Sequence, residues 1–557
     1  MAENTAHLDS IRSGYAFDGA TLTLGAAVVD GQVHADAPVR LPLGMMNRHG
    51  LIAGATGTGK TKTLQMLAEQ LSAAGVPVFL ADVKGDLSGL ATPGTLSDKL
   101  TERAAATGMP WQAAAYPVEF LALGGDGVGV PVRATVDSFG PVLLSRVIEL
   151  NETQESCLQL MFHWADQRDL PLDDLADLRA VVTHLTSDEG KADLKGLGGV
   201  AKATANVILR EVTALEAGGM GPFFGVPEFE TAELLRVAPD GRGVISCLEL
   251  PTLQSKPQLF STFMVWLLAD LFAELPEAGD LDKPKLVFFL DEAHLLFDGA
   301  SDAFLDAITT TVRLIRSKGV GLFFITQTPK DVPADVLGQL ANRVQHALRA
   351  FTPDDAKALK ATVRTFPTSG YDLEEVLTSA KVGEAVVTVM DPDGAPTPVA
   401  LTRMWSPQSA MEPTAPKAMQ AAVAASPLMA QYGTAQERDS AAERLAAQAA
   451  AAATPATGGS ARADARGAGD GDARVADGRG GHTTVSGVDL GDLEELRREE
   501  EARERRAREK AERPSDVEKA LGNLMKSAGT QIGREVVRSV FGTRRRSSGG
   551  LLGGLFR

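Results

Sequence analysis

Two hydrophobic patterns alternate along the chain, and their alternation points to a fold class. From about Gly50, runs that are apolar at nearly every position recur between glycine turns or charged residues. They are LIAG (Leu51–Gly54), VPVFLADV (Val76–Val83), RGVISCLEL (Arg242–Leu250), KLVFFLDEA (Lys285–Ala293), VGLFFIT (Val320–Thr326) and RVQHALRA (Arg343–Ala350). A strand covered on both faces needs such continuous hydrophobicity. Between them, stretches such as Thr61–Ala74 and Phe260–Glu274 carry apolar residues at helical spacing. Buried strands joined by helices predict an α/β fold on a mostly parallel sheet.

Outside this core the pattern changes. Residues 1–43 hold short alternating stretches (ATLTLGAAV, GQVHA, APVRL) that predict a short β-rich N-terminal segment. Residues 44–408 form the predicted main domain, with a mainly helical insertion at about 139–235, where Leu, Ala, Asp and Glu recur at helical spacing. From 409 to 491 large apolar residues become rare, as in AAQAAAAATPATGGSARADARGAGDGD. Such a segment cannot offset its chain entropy, so a disordered linker is expected. Residues 492–513 read as a charged helix with acid–base pairs at helical spacing, and 514–557 as an amphipathic tail.

Composition narrows the class without choosing a function. The chain has 557 residues, 44% hydrophobic and 23% charged, which is ordinary for a globular protein. Its two cysteines, Cys157 and Cys247, offer neither a disulfide framework nor a metal-ligand spacing, so a reducing, cytoplasmic setting is expected. The polar opening MAENTAHLDSIRSG lacks the apolar core of a secretion signal, and Asp270 interrupts the longest apolar stretch, so no membrane span is expected. A net charge of −17 argues against coating nucleic acid with the whole surface, yet leaves room for a local basic stripe.

The chemistry gathers in three places. Gly54-Ala55-Thr56-Gly57-Thr58-Gly59-Lys60-Thr61 fits G-x-x-x-x-G-K-[ST] between a strand and the helical TKTLQMLAEQL. Glycines let backbone N–H groups turn inward around phosphates, Lys60 adds a fixed cation, and the Thr61 hydroxyl is placed for Mg²⁺. An apolar strand then ends in Asp291–Glu292. At the carboxyl end of a parallel strand, Asp291 would hold the Mg²⁺ and Glu292 would orient or deprotonate an attacking water. A third strand ends in Thr326–Gln327, where an amide can bond both phosphate and water. Just before it, Arg313 and Arg316 lie three apart on one predicted helical face. Together these imply a P-loop nucleotide hydrolase.

GATGTGKTKT, ADVKGDLSG (with Asp82, Lys84, Gly85 and Asp86), FFLDEAHLLF, ITQTP and NRVQHALRAFTP together resemble the HerA-like branch of the FtsK–HerA ATPases, over about Leu41 to Ser406. The resemblance implies a RecA-like P-loop motor that binds ATP with Mg²⁺. It implies a hexameric ring moving double-stranded DNA, with active sites shared between subunits. By motif, Arg316 resembles the arginine finger given to a neighbouring site, with Arg313 the other candidate. Arg48, in NRHG, resembles a further nucleotide-contacting arginine, and Lys62 extends the nucleotide-binding run. Lys84, Lys195, Lys202 and Lys318 are candidate polymer contacts. An ATPase that remodels a protein partner and a nucleotide-gated scaffold stand as the alternative functions.

Overall fold

Val, Leu, Ile and Phe fill the predicted strands because each strand buries both faces. The computed structural model describes residues 2–194, 198–250, 257–279, 281–298, 300 and 302–453. Its strands are β1 (Thr21–Val29), β2 (Gln32–Pro42), β3 (Gly50–Ala53), β4 (Val78–Asp82), β5 (Val118–Leu123), β6 (Val130–Val132), β7 (Ile245–Glu249), β8 (Leu286–Leu290), β9 (Val320–Thr326), β10 (Asn342–His346), β11 (Glu384–Thr388) and β12 (Ala400–Met404). They form one sheet in the order β2-β1-β12-β11-β10-β3-β9-β8-β4-β7-β5-β6. From β10 to β6 every neighbouring pair is parallel. From β2 to β10 every pair is antiparallel. The mostly parallel α/β sheet expected from the apolar runs is present, and all six runs are strands in its parallel part.

Side chains alternate across the sheet with the two-residue period of a strand. Phe79 and Phe288 enter one core with Trp164 and Trp266, their own rings 4.8 Å apart. Leu80 and Phe289 enter the opposite core with Leu64, Leu67 and Leu71 of the helix Lys60–Ala73. Burying each such side chain contributes about 1.5–3 kcal/mol, which fixes the register because a one-residue slip would exchange the two faces.

The insertion carries the helices Val136–Val147, Glu152–Gln167, Leu175–Thr186 and Lys202–Leu215, capped at their starts by Thr135, Asn151 and Asp174 in the first three. The helix Pro257–Glu274 runs against the same core. No helix of the described residues is long and apolar enough to cross a membrane.

Two expectations change. Residues Ala2–Gly14, within the expected β-rich segment, form a helix. It is seated by buried Ile11 and followed by Tyr15, whose hydroxyl donates to the carbonyl of Pro398 at 2.8 Å. The strands β1 and β2 then join the main sheet through β12. The disordered linker expected from residue 409 does not begin there. Residues 409–453 include the helices Pro416–Ala424, Met429–Tyr432 and Ala441–Ala453.

Sparse anchors hold this segment. The Glu69 carboxylate accepts the N–H groups of Gln408 (2.8 Å) and Ser409 (2.9 Å). Tyr432 is fully buried 5.2 Å from the Phe229 ring, and Arg438 pairs with Asp173. The described residues up to Gln448 belong to one compact unit, and 449–453 to a second. The remaining linker, the charged helix at 492–513 and the tail at 514–557 lie outside the described residues.

Candidate active site

The phosphate loop leaves β3 at Ala53 and enters the helix at Lys60. Gly57 (φ 78°) and Gly59 (φ 116°) adopt left-handed backbone that side chains disfavour. Gly54 is needed for space, since a Cβ there would meet the His346 Cβ at 2.5 Å. Neighbouring strands brace the loop from both sides. The N–H of Gly54 donates to the carbonyl of Gln327 at 3.1 Å, and that of Ala55 to the carbonyl of Ala347 at 2.8 Å. The Thr58 hydroxyl donates back to the Ala55 carbonyl at 2.6 Å. Thr56 and Gly57 stand exposed at the crest.

His346 supports the loop from below. Its Nδ1 lies 3.0 Å from the Glu384 carbonyl and its Nε2 2.9 Å from the Thr63 hydroxyl. Burial pushes its pKa down to about 4, so the ring is neutral at physiological pH.

Lys60 Nζ donates to the carbonyls of Gly54 (2.7 Å) and Ala55 (3.3 Å), folding over the cradle. Burial pulls its pKa down while Glu292 pulls it up. Thr61 follows it at the half-buried helix start. Lys62 points elsewhere: its Nζ donates to the Met411 carbonyl at 2.6 Å and the Gln65 amide oxygen at 3.1 Å. The expected nucleotide contact of Lys62 is therefore replaced by an anchor for residues 409–414.

Asp291 and Glu292 emerge at the carboxyl edge of β8, two strands from the loop in the order β3-β9-β8. Asp291 is only 2% exposed, and burial pushes its pKa up to about 6, against the pull of Lys84. Its Oδ1 accepts the Glu292 N–H at 2.9 Å, while Oδ2 has no hydrogen-bond partner among the described residues. A buried carboxylate oxygen without a donor is costly unless a cation satisfies it. An unpaired buried carboxylate oxygen at this edge of the sheet fits Mg²⁺. Glu292 takes the left-handed region (φ 48°, ψ 47°), unusual for a residue with a side chain. Its carboxylate is ion-paired with Lys84 and lies 3.3 Å from His294 Nδ1.

Lys84 is held by the turn of the ADVKGDLSG segment, whose geometry the sequence alone did not show. The buried Asp82 carboxylate accepts four backbone N–H groups: Lys84 (3.2 Å), Gly85 (2.7 Å), Asp86 (3.3 Å) and Leu87 (2.8 Å). Asp82, Cys247 and Glu249 bring their ligand atoms within 4.8 Å of one another. Both Asp82 oxygens are already engaged by the turn, so this cluster is a hydrogen-bonded corner. Burial and the neighbouring Asp82 push Glu249 up to about 7. Glu249 also borders a cleft of about 370 Å³ beside Gly125, Asp126, Gly219 and Phe223. The signal for this corner was the pair of strands ending in Asp82 and Glu249, which β4 and β7 place side by side.

Gln327 is exposed where β9 ends, beside the loop its carbonyl braces. The arginines are elsewhere. Arg316 begins a short turn before β9, and Gly319 accepts from Lys285 at the start of β8, so Arg316 stands at the amino edge of the sheet. Seven strand residues, about 20 Å, separate that edge from Gln327. Arg313, one turn earlier, is exposed like Arg316. Arg48 also precedes its strand, with its Nε buried and without a partner among the described residues. Arg48 thus stands at the amino end of β3, apart from the phosphate loop that follows that strand. Lys318 is buried against the Leu275 carbonyl (2.8 Å) and Glu277 (3.1 Å), so it is not a polymer contact. Lys195 lies outside the described residues.

Comparison with solved structures finds broad but distant likenesses. The plasmid coupling protein TrwB in complex with ADP and Mg²⁺ is 16% identical, with 73% of this chain and 93% of that chain covered and a TM-score of 0.48. An unbound form of the bacterial conjugative coupling protein TrwBdeltaN70 is 15% identical over 73% and 95%, with a TM-score of 0.46. VirB4 of Thermoanaerobacter pseudethanolicus is 14% identical over 72% and 99%, with a TM-score of 0.44. A comparison with curated proteins finds no match. The model of the helicase HerA-like C-terminal family matches residues 28–548. With a complete phosphate loop facing Asp291 and Glu292, the chain belongs to the helicase HerA-like C-terminal family and is a P-loop ATPase.

Proposed function

We propose that this ATPase is a ring-forming motor, hexameric as in the family it resembles, that moves double-stranded DNA. One observation carries the ring: loop, carboxylates and Gln327 share the carboxyl edge, whereas exposed Arg316 stands at the amino edge of the same sheet. An arginine about 20 Å away cannot reach its own site, so a second copy is needed to use it. The polymer is inferred from the helicase in the family's description.

Within one subunit, the loop N–H groups and Lys60 would bind the triphosphate of ATP. Thr61 and Asp291 would hold Mg²⁺, which supplies charge to the phosphate oxygens when bound. Glu292 would accept a proton from the attacking water, and Gln327 would hold that water by its amide. Arg316 of a neighbour would stabilise charge on the transferring phosphoryl group. The unpaired Cys157 and Cys247 suit a reducing cytoplasm.

Steady-state ATP hydrolysis with and without double-stranded DNA tests the reading, with mass measured by light scattering. Stimulation of several-fold and a ring-sized mass are expected. A monomer with a DNA-independent rate would overturn the motor, and stimulation by a protein fraction alone would move the substrate to protein.

A further inference from the structure

We infer that Lys84 is a positioning residue that restrains Glu292 and so keeps hydrolysis slow until the site is engaged; this rests on Glu292 being the group that activates water. Three observations on separate elements converge. Lys84 Nζ pairs directly with the Glu292 carboxylate, whose side chain is 13% exposed. Glu292 is held in left-handed backbone, a sparsely populated state that persists only when its surroundings impose it. Lys84 itself rides on a turn fixed by four N–H bonds to the Asp82 carboxylate, so the lysine is presented from a rigid base.

The charges around the pair make the restraint reversible. Lys60 in this structure is turned onto the carbonyls of Gly54 and Ala55. It also feels both Glu292 and Lys84 electrostatically. Arrival of a triphosphate brings several negative charges among these two lysines. The phosphates then compete with Glu292 for Lys84 without displacing it completely, so only the fraction of carboxylates released from the lysine turns toward water. His294, with Nδ1 3.3 Å from the second Glu292 oxygen, gives that carboxylate a second anchor while it is held.

The test is single-turnover ATP hydrolysis by the full chain without added polymer, comparing wild type with Lys84→Met and Lys84→Arg. An incompletely buried ion pair holds its partner by about 1 kcal/mol, so Lys84→Met is expected to raise the rate about fivefold. The gain should appear at saturating ATP, where the loss of a phosphate contact no longer limits binding, and Lys84→Arg should restore the slow rate. The gain should vanish in the Glu292→Gln background. Lys84 is 40% exposed, so these variants should fold; Lys84→Gln replaces Lys84→Met if that protein is insoluble. An unchanged or lowered rate at saturating ATP, or a gain that persists with Glu292→Gln, would overturn the inference. A Glu292→Gln enzyme that hydrolyses ATP at the wild-type rate would instead remove the role of Glu292 on which it rests.

Discussion

Lys60 is 9% exposed and already bonded to two loop carbonyls, so its charge is presented in the cradle before any ligand arrives. Replacing it with alanine removes the fixed cation nearest the phosphates. Lys60→Ala is expected to lower ATP turnover about 10²–10³-fold, as removal of one preorganised charge does, measured by phosphate release. Glu292→Gln keeps shape beside Asp291 but cannot take a proton. It should retain ATP in an equilibrium binding assay while hydrolysis falls by about 10²–10⁴.

Glu249 allows a stability test away from the reaction. Its carboxyl rises from the usual 4.5 to about 7 through burial beside Asp82. Between those values the folded chain binds more protons than the unfolded one, so Glu249 costs stability increasingly as pH rises from about 4.5 to about 7. Glu249→Gln abolishes that cost. Its unfolding midpoint should exceed wild type at pH 8, by about 2 kcal/mol after allowing for partial screening, and the difference should shrink at pH 5.5. The phosphate loop and Asp291–Glu292 were legible because each is contiguous in sequence and its chemistry is local. Lys84 paired with Glu292, and Asp82 beside Glu249, were not, because strand order brings these pairs together and no local pattern marks strand order.

Among elements, the strands were read more surely than the segments wrapped around them. Every run such as VFFL or LFFI is apolar on both faces and so has one reading. The short β5 and β6 fall between a proline turn and the helical insertion, and their length gives little periodicity to count. Residues 409–448 were misread for a different reason. Their alanine-rich composition resembles a linker, whereas a few contacts decide the outcome: Ser409 on Glu69, Met411 on Lys62, Tyr432 against Phe229 and Arg438 on Asp173. Truncation separates the two readings. A chain ending at Ala453 should match the full chain in its unfolding midpoint. A chain ending at Gln408 should lose several kcal/mol or become insoluble, because it exposes the Tyr432 pocket and strips the buried Glu69 carboxylate of its Ser409 donors. Equal midpoints for both truncations would mean that the segment adds nothing to the fold.

At the scale of the whole molecule, the parallel sheet sets apart two edges that the proposed shared site would bring together from two subunits. The carboxyl ends of β3, β8 and β9 carry the phosphate loop, the two carboxylates and Gln327, while Arg316 stands exposed at the far end of β9. If Arg316 completes the next subunit's site, Arg316→Ala should bind ATP normally and hydrolyse it about 10³–10⁵-fold more slowly. Loss of its own site would give the same rate, so the decisive measurement mixes two variants. Lys60→Ala subunits carry an intact arginine but a defective loop, and Arg316→Ala subunits the reverse. Where they adjoin in the right order, one interface unites an intact loop with an intact arginine, while the opposite order unites both defects. Two individually inactive proteins should therefore recover part of the wild-type rate once co-assembled, with the yield rising toward equal proportions. Mixed oligomers verified by mass that stay inactive would refute the shared site, as would full activity in a dilute monomer. A parallel mixture using Arg313→Ala identifies which of the two arginines on that helix end acts: only the finger variant should be both inactive alone and rescued by Lys60→Ala.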